Sequence, residues 1–187
     1  MDRMNLANRI TIARIILIPF FIAAIVYSRI TTALIIFIIA MASDGADGFI
    51  ARALKQKTKL GTMLDPMADK LLLISAYICL SLAPTIPAHL RLPPYVPIIV
   101  ISRDVIIVLG SVTVYFITGD LKVSPSIAGK ITTFFQMLTI VSILIHFRYS
   151  FVIWNIAVML TVISGIDYVI KGSRLFGENN SMLKRTL

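Results

Sequence analysis

The segments Ser-Asp-Gly-Ala-Asp-Gly-Phe-Ile-Ala-Arg at 43–52 and Leu-Gly-Thr-Met-Leu-Asp-Pro-Met-Ala-Asp-Lys at 60–70 place four of the chain's nine acidic residues within a hydrophobic protein. The four are Asp44, Asp47, Asp65 and Asp69. A carboxylate inside a membrane costs at least about 2.5 kcal/mol unless it is compensated, and neighbouring carboxylates also repel one another in a low dielectric. Divalent cations with oxygen ligands provide the least costly compensation. The stretch therefore predicts a metal site in a membrane protein.

The composition is that of an integral membrane protein. Of 187 residues, 58% are hydrophobic and 14% are charged, whereas a soluble domain is about a quarter charged. A helix needs about 20 apolar residues to cross a bilayer. Runs of that kind predict transmembrane helices at 10–28, 31–53, 65–83, 95–118, 126–146 and 149–170. Because the connections are short, we expect residues 1–187 to form one all-α membrane domain with six transmembrane helices.

Residues 4–14 alternate apolar and polar side chains at helical spacing, which is typical of an amphipathic helix lying at the membrane interface. We expect this helix to turn into the bilayer near Pro19. Asn8, Thr11 and Arg14 are spaced by three and share one face, so they are candidates for binding a ligand. A positively flanked anchor helix explains the same residues as well. We find no small-residue cleavage site before the later spans, so we expect the first helix to be retained.

The net charge of +9 follows membrane topology and does not indicate nucleic-acid binding. With the N-terminus inside, most basic residues fall on the cytoplasmic side, as the positive-inside rule requires. These residues are Arg3, Arg9, Lys55, Lys57, Lys59, Lys122, Lys171, Arg174, Lys184 and Arg185. The opposite side receives Arg29, Arg91 and Arg148. The pattern predicts that both termini and the 53–60 loop are cytoplasmic, where the cations would also attract anionic lipid headgroups.

The spacing of the aspartates places each pair on one face of a helix. Asp44 and Asp47 are three residues apart and Asp65 and Asp69 are four apart, so each pair is separated by about one helical turn. Asp65 followed by Pro66 also resembles a helix N-cap with proline at the first helical position. An N-cap role would explain Asp65, but it would not explain why Asp44, Asp47 and Asp69 occur in this hydrophobic region.

Two cations interrupt later apolar runs. Arg103 lies in the fourth predicted span, and Lys130 lies early in the fifth. Together they could form a cationic patch that binds a second anion beside the metals. The alternatives are that Arg103 pairs with Asp104 and that Lys130 extends to the cytoplasmic surface. We interpret His89 and His146 as flanks of the spans on the opposite side.

The spacing Asp-x2-Asp-Gly-x2-Ala-Arg-x8-Gly-x3-Asp-x3-Asp from Asp44 to Asp69 resembles the signature of the CDP-alcohol phosphotransferase family. All eight fixed positions are present, and the resemblance extends over the predicted helices. It implies that the four aspartates bind two divalent metal ions and that Asp69 is also the general base. The resemblance further implies that the CDP moiety of a lipid donor is surrounded by four residues: Gly48, Ala51, Arg52 and Gly61. An all-carboxylate site favours Mg²⁺ or Mn²⁺ over zinc.

Within this family, Asn-Leu-Ala-Asn-Arg-Ile-Thr-Ile-Ala-Arg at 5–14 and the 60–71 segment resemble the branch that makes phosphatidylglycerophosphate. The resemblance implies phosphatidyl transfer from CDP-diacylglycerol to glycerol 3-phosphate, whose phosphate Arg103 and Lys130 would bind. Ser-Arg-Asp-Val from Ser102 also resembles the members that use phosphatidylglycerol as acceptor, and inositol phosphate or serine are further alternatives. The phosphatidylglycerophosphate branch tends to have Arg-Glu where this chain has Arg103 and Asp104.

Enzymes of the family are often homodimers, which is the expected assembly, and a bacterial inner membrane is the expected location, with the site facing the cytoplasm. Two other classes of protein also combine acidic residues with a membrane. An intramembrane prenyltransferase uses aspartates and Mg²⁺ on a lipid pyrophosphate, but the glycine, alanine and arginine spacing argues against it. A cation transporter would distribute its acids across the bilayer, whereas here the acids cluster near one face.

Overall fold

The computed structural model describes the backbone of residues 6–54, 59–118 and 127–183, and the side chains of residues 12–43, 70–110, 113 and 127–170. Within these ranges the regular structure is helical and contains no strand. The six helices, in chain order, are α1 (Leu6–Val26), α2 (Ile30–Leu54), α3 (Lys59–Leu82), α4 (Tyr95–Thr118), α5 (Ile127–Leu144) and α6 (Ser150–Leu183). The predicted all-α class is therefore confirmed.

The helix boundaries agree with the predicted spans to within two residues except at three ends, one of which is the start of α1 at Leu6. Helix α4 has the predicted bounds, whereas α3 begins at Lys59 and α6 continues to Leu183, well beyond 170. Hydropathy marks the lipid boundary, and a helix can continue into water because its hydrogen bonds are internal. Since Asp65 and Pro66 lie inside α3, the N-cap interpretation of Asp65 is wrong.

The N-terminal segment is continuous with the first helix. Residues from Leu6 onward belong to α1, which passes through Pro19 and ends at Val26. Residues 4 and 5 lie outside the described part. Proline is tolerated inside a membrane helix where neighbouring groups satisfy the freed carbonyl. The expected separate helix over 4–14 is thus not a distinct element, and its place at the membrane interface stays a prediction.

Two described segments are long and apolar enough to cross a bilayer, Ile127–Leu144 and Ser150–Ile170. Shorter apolar segments occur at Ile12–Val26, Ile30–Ser43 and Lys70–Leu82. Large apolar side chains are exposed along several helices, and examples are Ile35, Ile98, Leu109, Phe134, Met159 and Ile163. Exposed apolar surface of this extent is expected where lipid replaces water. Crossing of the bilayer by all six helices stays a prediction.

The described contacts divide the chain into two compact units. The first contains the residues up to Pro93 together with Ile140–Ser150. In it, α1 contacts both α2 and α3, and the rings of Phe21 and Phe37 pack with centroids 5.9 Å apart. The connection after α3 is tied to the end of α1, because Thr85 Oγ1 donates to the Ile25 carbonyl at 3.2 Å.

Helices α1 and α5 end in the same way. Ser28 (φ 60°) and His146 (φ 57°) adopt the left-handed conformation. At the end of α1, Arg29 N–H donates to the Ala24 carbonyl at 2.8 Å, and at the end of α5, Phe147 N–H donates to the Ser142 carbonyl at 2.9 Å. These are Schellman caps, in which the left-handed position usually holds glycine.

Replacing Ser28 or His146 by glycine should stabilise the protein by about 0.5–1 kcal/mol, because glycine has no Cβ to strain this conformation. A change of this size should raise the midpoint of thermal unfolding in detergent by about 1–4 °C. Ala42→Gly, at an exposed position inside α2, is the control and should lower the midpoint, since glycine there only weakens a helix. A midpoint that does not rise in either turn variant would contradict the prediction.

The second unit contains Pro94–Thr139 and the residues from Phe151 onward. In it, α4 and α6 approach closely at Gly110, where a Cβ would lie 2.8 Å from Tyr168 Cε1. The Tyr168 hydroxyl donates to the Ile107 carbonyl at 3.0 Å. Glycine at position 110 therefore allows the aromatic ring of α6 to lie against the backbone of α4.

Gly110→Ala should destabilise the protein by about 1–3 kcal/mol, because the ring or the helix must shift to admit the methyl group. Gly165→Ala is the matched control, since its methyl would make an ordinary contact, 3.5 Å from Arg103 Cγ. The two variants are compared by their unfolding midpoints in detergent. Equal midpoints would contradict the close packing of α4 and α6 at Gly110.

Candidate active site

The four aspartates lie on two helices of the first unit. Asp44 and Asp47 are in the second half of α2, and Asp65 and Asp69 are in the first half of α3. The backbone is helical at all four, so each pair is about one turn apart, as predicted. Their side chains lie outside the described part. Both helices contact α1.

The residues expected around CDP occupy the same two helices. Gly48, Ala51 and Arg52 are in the last turns of α2, and Gly61 is in the first turn of α3. Their side chains also lie outside the described part, as do residues 55–58 as a whole. Because five Cα–Cα steps join Leu54 to Lys59, these two helix ends are at most about 19 Å apart.

Arg14 is a buried cation in the unit that contains the aspartates. It lies on α1 and is only 1% exposed, and it is among the largest fully buried side chains. Of the three α1 residues that the sequence pattern singled out, it is the one whose side chain is described. A buried guanidinium stabilises nearby carboxylates in their charged form. Arg14 lies on α1, which contacts the two helices that carry the aspartates.

Arg103 is also buried, in the middle of α4. It is 7% exposed, and its Nη1 donates to Asp104 Oδ1 at 2.9 Å. Its Nη2 donates to Ser164 Oγ on α6 at 2.7 Å. The interpretation that Arg103 pairs with Asp104 is therefore confirmed. Ser164 was not identified from the sequence, where it is one of several small residues in an apolar run.

The printed contacts of Arg103 use two of its N–H groups, one on Nη1 and one on Nη2. A guanidinium has five N–H groups, and among the described residues the buried Nε has no hydrogen-bond partner. Leaving such a donor unsatisfied costs about 1–3 kcal/mol, and an anion that accepts its hydrogen would recover that free energy. The pairing with Asp104 is thus compatible with binding a phosphate.

Lys130 differs from Arg103 in its environment. It lies in the first turn of α5 and is exposed, as expected of a lysine that extends to the membrane surface. Both residues belong to the second unit. The two cations that the sequence suggested as one patch are therefore a buried guanidinium and an exposed ammonium, and their joint role stays a prediction.

The histidines occupy the turns predicted to flank the spans. His89 lies in the connection between α3 and α4, and His146 lies in the turn between α5 and α6. Within the described side chains, no three His, Cys, Asp or Glu residues are grouped so as to hold a metal ion. The four motif aspartates are not among those side chains, so the predicted metal ligands stay a prediction.

Comparison with known proteins identifies the class. The family model described as CDP-alcohol phosphatidyltransferase matches residues 4–163, which is most of the chain. The protein therefore belongs to the CDP-alcohol phosphatidyltransferase family.

Its similarity to individual relatives extends over nearly the whole chain. A protein of Bacillus subtilis is 35% identical over 94% of this chain and 99% of its own length. A protein of Haemophilus influenzae is 35% identical over 92% of this chain and 97% of its own length. A protein of Aquifex aeolicus is 29% identical over 92% of this chain and 98% of its own length. All three are named CDP-diacylglycerol–glycerol-3-phosphate 3-phosphatidyltransferase.

Proposed function

We propose that this protein transfers a phosphatidyl group from CDP-diacylglycerol to glycerol 3-phosphate, forming phosphatidylglycerophosphate and CMP. The observation that carries the proposal is the similarity, over almost the full length of both chains, to enzymes with that printed name. The complete eight-position motif at 44–69 agrees with it. The activity belongs to residues 1–187 acting as one membrane domain.

The residues present fit a divalent metal. All four candidate ligands are carboxylates, at helical spacings of three and four, and oxygen donors of this kind suit Mg²⁺ or Mn²⁺. Asp44, Asp47, Asp65 and Asp69 would hold two such ions. When bound, the ions would neutralise the pyrophosphate and stabilise the entering and leaving oxygens.

The chain's own residues perform the remaining tasks. Asp69 removes the proton from the primary hydroxyl of the acceptor, and the resulting oxygen attacks the β-phosphorus of the donor. The bond from that phosphorus to the CMP oxygen breaks, and CMP leaves. Gly48, Ala51 and Gly61 allow the donor to approach the backbone closely because they are small. Arg52 supplies a cation for its phosphates.

The acceptor's phosphate binds to Arg103 and Lys130. The buried guanidinium offers N–H groups that its contacts with Asp104 and Ser164 do not use, the Nε group among them, and the exposed ammonium contributes charge at the surface. A second candidate acceptor is phosphatidylglycerol, which the segment Ser102–Arg103–Asp104–Val105 favours through its resemblance to enzymes that use that lipid. Both acceptors carry a phosphate and a primary hydroxyl, so the mechanism is the same.

The proposed membrane arrangement has six transmembrane helices, cytoplasmic termini and a site open to the cytoplasm. It is supported by the excess of basic residues on one side and by the exposed apolar side chains of α1–α6. Residues 4–14 lie at the interface, where their alternating pattern fits. The bacterial relatives support a bacterial inner membrane. The assembly is a homodimer, as the family resemblance implies.

Purified protein with CDP-diacylglycerol and Mg²⁺ should release CMP when glycerol 3-phosphate is added and should not do so with phosphatidylglycerol or without an acceptor. The measurement is CMP release, with the lipid product identified by mass spectrometry. Release with phosphatidylglycerol alone would replace the proposed acceptor by the second candidate. Movement of Mg²⁺ into liposomes without CMP release would contradict the enzymatic function.

Asp69→Asn should lower kcat by at least about 100-fold, as expected for loss of a general base, with an unfolding midpoint close to that of the wild type. Asp167→Asn makes the same chemical change outside the motif on α6 and should retain activity. Asp47→Ala should regain part of its activity at high Mg²⁺ because it weakens metal binding, whereas Asp69→Asn should not. Turnover by Asp69→Asn near the wild-type rate would exclude Asp69 as the base.

A further inference from the structure

The guanidinium of Arg103 is held from two helices of the second unit. Asp104, the next residue on α4, accepts from Nη1 at 2.9 Å, and Ser164 on α6 accepts from Nη2 at 2.7 Å. All three residues are buried, with exposures of 7%, 5% and 1% for Arg103, Asp104 and Ser164. The hydrogen bond from Arg103 to Ser164 is thus shielded from competing water.

The two contacts constrain the guanidinium differently. Asp104 belongs to the same helix and moves with Arg103, whereas Ser164 links the guanidinium to a second helix. Beside this link, a Cβ at Gly165 would lie 3.5 Å from Arg103 Cγ, which is an ordinary contact distance. One turn further along α6, Tyr168 donates to the Ile107 carbonyl of α4 at 3.0 Å. Ser164 therefore contacts the guanidinium one turn away from a second hydrogen bond between α4 and α6.

The orientation of the guanidinium determines where its other N–H groups are directed. The buried Nε has no partner among the described residues. A carboxylate can accept two parallel N–H bonds from a guanidinium, so Asp104 alone could rotate Arg103 into a two-bond pair. The hydroxyl of Ser164 opposes that rotation because turning the guanidinium toward Asp104 would lengthen or bend the hydrogen bond from Nη2 to Ser164. The bond to Ser164 therefore fixes the orientation of the guanidinium relative to α6.

We infer that Ser164 is a positioning residue for the acceptor: its hydroxyl holds Arg103 Nη2 so that the guanidinium can bind the acceptor's phosphate. This inference rests on the proposed function. Ser164 contacts Arg103 and is assigned no role in proton transfer or in donor binding. Its loss should weaken binding of the acceptor and leave the chemical step unchanged.

Ser164→Ala should raise the KM for glycerol 3-phosphate about tenfold, the size expected for a hydrogen bond to a charged group. Its kcat and its KM for CDP-diacylglycerol should each stay within about twofold of the wild-type values. Ser164→Thr retains the hydroxyl and should restore the wild-type KM. Steady-state CMP release with each substrate varied in turn gives all of these values.

Thr161→Ala is the matched control on the same helix. Thr161 is fully buried, its hydroxyl donates to the Ala157 carbonyl at 2.6 Å and it accepts from Gln136 Nε2 at 3.1 Å. The variant therefore also loses a buried hydroxyl, but one that Arg103 does not contact. It should leave the KM for glycerol 3-phosphate unchanged, even where its unfolding midpoint falls as far as that of Ser164→Ala.

Three results would overturn the inference: an unchanged acceptor KM in Ser164→Ala, an equal rise in Thr161→Ala, or a fall in kcat alone. Should Ser164→Ala fail to fold, Ser164→Cys keeps the side-chain volume with a weak acceptor and should show the same rise in KM. The acceptor that the wild type uses tests the proposed function, whereas the variants test the role of Ser164. If the wild type uses only phosphatidylglycerol, the acceptor assignment fails, and the same variants measured with that lipid test the role of Ser164.

Discussion

A charged group buried among apolar side chains must have a partner, and this requirement organises the protein. In the first unit, Arg14 is buried on α1, the helix that contacts the two helices carrying the aspartates. In the second unit, Arg103 is buried with Asp104 and Ser164. A membrane protein retains such groups only where they are paired or functional. The buried charges are therefore the described residues to which a functional role is first proposed.

Polar contacts between helices help to select one helix arrangement when lipid surrounds the protein. Lipid is as apolar as leucine, so apolar side chains give little preference for one helix arrangement over another. In the second unit, close packing at Gly110 and hydrogen bonds of Ser164, Thr161 and Tyr168 connect the helices instead. Of these contacts, the hydrogen bond to Ser164 also orients the guanidinium of Arg103. The residue proposed to orient Arg103 for substrate binding thus also links α4 to α6.

Helix positions could be predicted from hydropathy wherever the end of the helix coincides with the end of the apolar run. Helix α4 is such a case, because Pro93 and Pro94 precede it. The start of α3 and the end of α6 could not be predicted in this way, since both extend past the apolar run into polar sequence. Hydropathy reports contact with lipid, whereas a helix continues as long as its backbone hydrogen bonds are satisfied internally.

The sequence by itself determined the family and the candidate metal and donor residues, because the eight motif positions lie close along the chain at helical spacing. The pairing of Arg103 with Asp104 was also open to prediction, since the two residues are adjacent. Only the tertiary structure decided that Arg103 binds Ser164, which is 61 residues away. Such a contact depends on how α4 and α6 pack, and a serine in an apolar run has no local pattern that distinguishes it from its neighbours.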